Sequence, residues 1–321
     1  MSLLRGDSGE AMKIAIVGPG AIGCLFAGLL SRDGHEVWLI DHQAKRARTL
    51  ARRGVWVSGV TDEFNARVKA TASPREAGEA RVVMVAVKSY ATAEAARAAE
   101  PLVGTETTVM TVQNGLGNME ALQEVLGEDR VIGGVTSQAA TLVAPGQVHH
   151  AGHGATVIGE PSGELTERLT EIAGAFGAAG MQVKLTTDLG GEVWRKLIVN
   201  AGVNAVATLA QVHNGGILES RSLRGVLVEA VGEAAAVAKA KGVHLGQQDL
   251  GAYAQEICQR TADNVNSMLQ DVYRKRRTEV DAINGAVVRE GKAVGVPTPM
   301  NEALTLLVKG LEETYAARVA R

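Results

Sequence analysis

The stretch KIAIVGPGAIGCLFAGLL, Lys13 to Leu30, limits the fold more than any other part of the chain. It reads as a short apolar strand, then G-x-G-x-x-G, then an apolar helix. Gly18 allows a tight turn, Gly20 lets backbone come close to a pyrophosphate, and Gly23 lets the helix pack on the strand. The helix start, at Ala21 and Ile22, offers N–H groups and the positive end of the dipole to phosphate oxygens. A lone glycine fingerprint is weak, but here it lies between a strand and a helix in a βαβ unit, the context that gives it meaning. The next apolar run ends at Asp41, 18 positions beyond Gly23. An acid there accepts hydrogen bonds from the adenosine ribose and repels a 2′-phosphate, which leans to NAD(H). Lys45 and Arg46 follow within a turn and could reach such a phosphate.

Short runs rich in Val and Ile recur at 13–17, 36–40, 81–87 and 107–112, with helical stretches around 22–33 and 91–102. That alternation predicts a doubly wound, mostly parallel α/β Rossmann sheet covered on both faces. From 131 to 185 the signals are strands and turns, with PGQV and GHGAT as turn chemistry, and read as an extension of the sheet. After Asp188 the texture changes. Gly190 and Gly191 precede a long apolar stretch, and helical segments follow at 222–241, 247–271, 278–295 and after Pro299, without a convincing strand signal. The expected organisation is a dinucleotide-binding domain over 12–187 and an all-α domain over 188–321. A length of 321 residues suits two domains.

Bulk properties exclude several function classes. A net charge of −2 and an aromatic content of 3% leave neither the electrostatic footprint nor the stacking surface of a nucleic-acid binder. No apolar run reaches the roughly 18–20 residues of a membrane span. Met1 to Met12 is polar and charged, without the apolar core of a secretory signal, and MKIAIVG at Met12 reads as the first strand. Cys24 and Cys258 lie far apart, which fits a reducing cytoplasm rather than a disulfide framework. His149, His150 and His153 sit in turn-like sequence without a neighbouring carboxylate. Closed zinc sites want four ligands in set spacings, so no metal is read there.

In open α/β sheets, ligands lie beyond the carboxyl ends of the strands. Lys88 and Asn114 each end such a run, although either could be a loop residue facing water. A cation at 88 could hold a phosphate or carboxylate, and an amide at 114 could orient the nicotinamide ribose and a substrate.

The helical half opens with VWRKLIVNAGVN, which carries Lys196, Asn200 and Asn204 at four-residue spacing. At about 100° per residue the three fall within a sector of about 80°. Val199 and Val203 flank it on one side, Leu197, Ala201 and Ala205 on the other. This is a polar seam in an apolar surface, and it meets either another helix or a polar ligand. Lysine favours the ligand, because it is almost never fully buried unless paired. Beside a nicotinamide, its ammonium would hydrogen-bond a carbonyl oxygen and donate a proton as hydride reaches carbon. Asn264, Ser267 and Asp271 follow three- and four-residue steps further on. Arg274 to Arg277 is a basic run best read as a solvated helix end. On spacing alone, Glu279 is equally a surface partner or a functional group.

Taken together, MKIAIVGPGAIG, VKSY, QNGLGN, GVTSQAATLVAPGQVHHAGHGATVIGE, VWRKLIVNAGVNAVATL, NSMLQD, RRTEVDAINGAVV and GVPTPMNEAL resemble the ketopantoate reductases (2-dehydropantoate 2-reductases), from Met12 to about Glu313. The resemblance implies a Rossmann domain followed by a helical domain of the 6-phosphogluconate dehydrogenase type, with the active site in the cleft between. It implies NADPH-linked reduction of 2-dehydropantoate to pantoate on the way to pantothenate. Lys196 then corresponds to the proton donor and Glu279, in T-E-x-D, to its acidic partner. Asn200, Asn204, Asn264 and Ser267 match residues that hold the keto acid, with Asn114 and Asn214 beside them. Lys88, Asn114 and Ala140 match cofactor contacts. The sequence departs from the family at the end of the second strand, where NADPH-linked members often carry arginine and this chain has Asp41 and His42. It also lacks a glycine between Asp271 and Thr278, so two helices are expected to run on as one. The alternatives are a paralogous reductase of another branched 2-keto acid and a non-catalytic dinucleotide sensor. A helical second half rich in apolar residues suits a homodimer.

Overall fold

The protein is described by a computed structural model over residues 11–317; the polar lead-in at 1–10 lies outside the described residues. The chain divides into two compact units. One runs to Gln113 and resumes over Gly117–Leu189; the other takes Asn114–Leu116 and everything from Gly190 onward.

The first unit is built on an eight-stranded sheet. Its strands are β1 (Lys13–Val17), β2 (Glu36–Ile40), β5 (Lys69–Thr71), β6 (Val82–Val85), β7 (Thr108–Thr111), β8 (Val131–Thr136), β11 (Thr156–Gly159) and β12 (Val183–Leu185). Their order is β12-β11-β8-β7-β6-β1-β2-β5. The run from β5 to β8 is parallel, and β11 pairs antiparallel with β8. This is the mononucleotide-binding order that reverses at β1, so a crevice opens between β1 and β6. Ile14, Ala15, Ile16, Val83 and Met84 have no exposed surface, as continuous apolar runs in a sheet covered on both faces require. The covering helices are α1 (Ala21–Arg32), α2 (Ala44–Arg53), α3 (Pro74–Ala77), α4 (Thr92–Ala99), α5 (Asn118–Leu126) and α6 (Glu167–Ala178).

Two features depart from the sequence expectation. The strands after 131 do not all extend the main sheet. β9 (Ala139–Ala144) and β10 (Gln147–Gly152) join β3 (Val55–Gly59) and β4 (Phe64–Ala66) in a separate four-stranded sheet ordered β4-β3-β10-β9. That sheet packs on α1, and a Cβ at Gly28 would stand 2.7 Å from Val57 Cγ2. The second departure is α6, in a region read as strands and turns. It buries Leu169, Ile172, Ala175 and Phe176, and the Phe176 ring meets Phe26 edge-on at 5.6 Å.

In the second unit, the described residues form helices and turns. They are α7 (Leu189–Ala210), α8 (Gly216–Glu219), α9 (Arg221–Ala240), α10 (Leu250–Arg260), α11 (Ser267–Tyr273), α12 (Asn284–Val294) and α13 (Pro299–Glu313). α9 crosses α7 closely at Gly202, where a Cβ would lie 2.7 Å from Val231 Cγ2. A buried polar set fastens the same region. Asn284 Nδ2 donates to Ala201 O and to Asn301 Oδ1, at 2.9 and 3.0 Å. Glu233 accepts from the Met300 and Asn301 N–H groups at the start of α13.

The expected helix over 247–271 is two helices. Asn266 ends the gap between them, its side chain accepting from Leu269 N at 3.0 Å as an N-cap. Nor do the helices around 271–278 run on as one. Lys275 takes a left-handed φ of 52°, and Arg276 N donates to Asp271 O to close the α11 terminus without glycine. No helix among the described residues is long and apolar enough to cross a membrane.

Candidate functional site

The glycine turn shows two kinds of constraint. Gly18 has φ +102°, and a Cβ there would stand 2.7 Å from Val87 Cγ1 and 2.8 Å from Val87 N. A Cβ at Gly23 would fall 2.2 Å from Gly18 O. Both glycines are therefore demanded by the protein's own packing. Gly20 is different: its φ of −77° and ψ of −166° suit any residue. Among the described residues beyond its own chain neighbours, a Cβ there would meet only Ala86 O, at 4.0 Å. The space over Gly20 is a cradle that a side chain would fill and that the fold does not use. It adjoins the N-terminus of α1, at Ala21 and Ile22, and so fits the pyrophosphate of a dinucleotide.

Gly18 N donates to Ile40 O at 3.0 Å, which ties this turn to the end of β2. Asp41 comes next and is 1% exposed. Its Oδ1 accepts from Gln43 N at 2.9 Å and from Arg46 Nη2 at 2.8 Å, and its Oδ2 from Arg46 Nε. The carboxylate is thus enclosed and paired bidentately, not displayed to a ribose as its position in the sequence suggests.

Lys88 follows β6 and is half-buried where the turn Ser89–Ala91 begins. Gln113, which the sequence reading passed over, braces the end of β7. Its Nε2 donates to Val87 O at 2.7 Å and to Thr92 Oγ1 at 2.9 Å. The only hint of this was its place beside Asn114. Ala140 lies on β9 opposite His150, packed against the core that includes α1. His150 is buried, with Nε2 2.8 Å from Gln138 Oε1 and Nδ1 against Thr61 Oγ1. Burial lowers its pKa, and its ring meets His153 edge-on at 4.6 Å. These contacts give it a structural occupation.

In the helical unit, α7 carries Lys196, Asn200 and Asn204. Lys196 and Asn200 are half-buried and Asn204 is 5% exposed, among buried Leu197, Val199, Ala201, Val203 and Ala205. Glu279 is buried in the turn before α12. Although Lys196 keeps some accessible surface, burial dominates its titration and brings its pKa down to about 8; the charge of Glu279 opposes this and raises it. The sequence thus brings an amine of α7 and an acid from far along the chain into electrostatic contact.

The segment Asn114–Leu116 belongs to this unit and meets the same turn. Leu116 N donates to Ala282 O at 3.0 Å, and a Cβ at Gly115 (φ +89°) would lie 2.4 Å from that oxygen. Asn214 N donates to Asn264 O at 3.1 Å, and Asn214 Nδ2 donates to Thr261 Oγ1 at 2.9 Å. Asn214 Oδ1 is buried and, among the described residues, accepts no hydrogen bond. Ser267 is exposed at the first turn of α11, and the hydrogen bonds of this cluster do not include it.

Comparison with known proteins bears on this constellation. The ApbA model, "Ketopantoate reductase PanE/ApbA", matches residues 14–163, and its C-terminal counterpart matches residues 188–312. The chain belongs to the ketopantoate reductase family. A 2-dehydropantoate 2-reductase of Pyrococcus horikoshii is 36% identical to this family member, covering 94% of this chain and 98% of the relative. A crystal structure of a PanE/ApbA family ketopantoate reductase from Ralstonia eutropha superposes with a TM-score of 0.87 at 33% identity, covering 94% of this chain and 99% of that one. A ternary structure of D-mandelate dehydrogenase with NADH and anilino(oxo)acetate superposes with a TM-score of 0.89 at 26% identity, over 94% and 99%. The ketopantoate reductase fold is therefore present over both units.

Proposed function

We propose that the protein is a 2-dehydropantoate 2-reductase, reducing ketopantoate to pantoate with NADPH in pantothenate biosynthesis. The observation that carries this reading is Lys196, an amine with a pKa of about 8 beside the buried acid Glu279, on the polar seam of α7.

The dinucleotide, when bound, supplies hydride to the keto carbon. The turn at Gly18, Gly20 and Gly23 and the α1 N–H groups at Ala21 and Ile22 receive its pyrophosphate. Lys88, Asn114 and Ala140 serve as further cofactor contacts. Asn200, Asn204, Asn214, Asn264, Ser267 and Asn114 orient the keto acid through its oxygens. Lys196 Nζ hydrogen-bonds the keto oxygen and gives it a proton as negative charge develops there, so the oxygen stays on carbon as the hydroxyl of the product. The amine then regains a proton from water. A donor works best with its pKa near the working pH, and the seam's burial brings Lys196 there. Glu279 keeps the amine charged until transfer.

The test is oxidation of NADPH with ketopantoate, followed by absorbance. Wild type should turn over, and Lys196→Ala should lose about 10²–10⁴-fold in kcat while still binding NADPH. Near-wild-type turnover in Lys196→Ala would overturn the proton-donor assignment. The likeness to D-mandelate dehydrogenase supports a second reading, another branched 2-keto acid as substrate. A higher kcat/KM for such an acid than for ketopantoate would select it. Tight dinucleotide binding without turnover on any keto acid would instead make the protein a sensor.

On the same reading the enzyme works in the cytoplasm as a homodimer. Two buried free thiols, Cys24 and Cys258, suit a reducing compartment. Exposed Leu306 and Leu307 on α13 supply apolar surface for a second copy.

A further inference from the structure

Arg46 sits in the first turn of α2, and Asp41 takes its Nε and Nη2. A bidentate guanidinium–carboxylate pair fixes both the place and the plane of the arginine. The side chain is 26% exposed while the Asp41 side chain is fully enclosed, so what reaches solvent is the cation and not the acid. A guanidinium has five N–H donors. The two on Nη1 and one on Nη2 are left over from the Asp41 pair, and no group among the described residues takes them. The pair follows Ile40, whose carbonyl holds Gly18 N. The charge of Arg46 is also felt at the Cys24 thiol, in the first turn of α1. In a Rossmann fold the adenosine ribose lies at the end of this strand, and an arginine there accommodates a 2′-phosphate.

We propose that Arg46, held in place by Asp41, is the group that recognises the 2′-phosphate of the dinucleotide and so makes the enzyme select NADPH over NADH. The inference rests on the dinucleotide reading of the glycine turn and deepens it. Asp41 is a positioning residue: its carboxylate serves the arginine rather than the ribose, which reverses the preference that an acid at this place usually sets. Exposed Lys45 lies one residue before the arginine and adds positive charge to the same end of α2.

The experiment is calorimetric titration of the full chain with adenosine 2′,5′-bisphosphate and with 5′-AMP, at one fixed ionic strength, for wild type, Arg46→Gln and Asp41→Asn. Wild type should bind the bisphosphate about ten- to a hundredfold more tightly than AMP, the range of a charge-assisted contact. Arg46→Gln should bring the ratio near one by weakening bisphosphate binding alone. Asp41→Asn should lower the ratio too, because the guanidinium loses its bidentate anchor. An unchanged ratio in Arg46→Gln, or a wild-type ratio near one, overturns the proposal and leaves the dinucleotide reading standing. A higher ratio in Asp41→Asn overturns the positioning role. Wild type binding neither nucleotide would bring down the dinucleotide reading itself. Arg46→Gln is a partly exposed change and remains decisive where Asp41→Asn fails to fold.

Discussion

Lys196 shows how one residue's chemistry is set by two opposed influences. Burial destabilises its ammonium and Glu279 stabilises it, with burial the stronger. A donor must be protonated, so kcat/KM should fall as pH rises through about 8. Removing the Glu279 charge removes the influence that raises the pKa. The pH–rate profile of Glu279→Gln should therefore carry its falling limb at lower pH than wild type. A limb that stays in place or moves to higher pH would show that Glu279 does not act on the titrating group. The α7 seam was legible in sequence because four-residue spacing puts three polar side chains on one strip of a helix. Glu279 was not, because spacing cannot say which distant amine it faces. Asp41 misled for a related reason: read alone it is an acceptor, and only its contact with Arg46 shows that its oxygens are engaged.

Among elements, the turn from β1 to α1 was the most legible, since each glycine answers a separate geometric demand. Those demands part on mutation. Gly20→Ala places a methyl in open space and should leave stability within about 0.5 kcal/mol of wild type while weakening dinucleotide binding at least about tenfold. Gly23→Ala drives a Cβ into Gly18 O and should cost about 1–3 kcal/mol or more of stability. Thermal melting and nucleotide titration separate the two. Wild-type affinity in Gly20→Ala would mean that the cradle is not where the pyrophosphate lies. Other elements were hidden for identifiable reasons. α6 carries Gly174 and Gly177 within its turns, which blurs the period set by Leu169, Ile172 and Phe176. β10 (Gln147–Gly152) runs through Gln147, Val148 and the histidines, which read as turn sequence, and alternation in any case identifies a strand and not its partner, so the separate sheet of β9 and β10 could not be foreseen. Breaks at Asn266 and Lys275 depend on a cap and a left-handed lysine that periodicity does not register.

At the scale of the molecule, the change of texture after Asp188 marked where strands give way to helices. The assignment of Asn114–Leu116 to the helical unit was invisible, because it rests on Ala282 O, far along the chain. Apolar surface on α13 belongs to this scale as well. Light scattering should give a particle of twice the 33.5 kDa chain mass, and Leu306→Asp with Leu307→Asp should halve it. A wild-type particle of single-chain mass would overturn the homodimer. If α7 holds the keto acid as proposed, it carries a practical lesson for changing which acids the enzyme accepts. One side of its circumference is glued down, by the close crossing at Gly202 and the amide of Asn284 on Ala201 O. Libraries aimed at new acceptors should diversify the neighbours of Asn200 and Asn204 and leave that glued side alone, since variants there would be lost to unfolding before selection could score them.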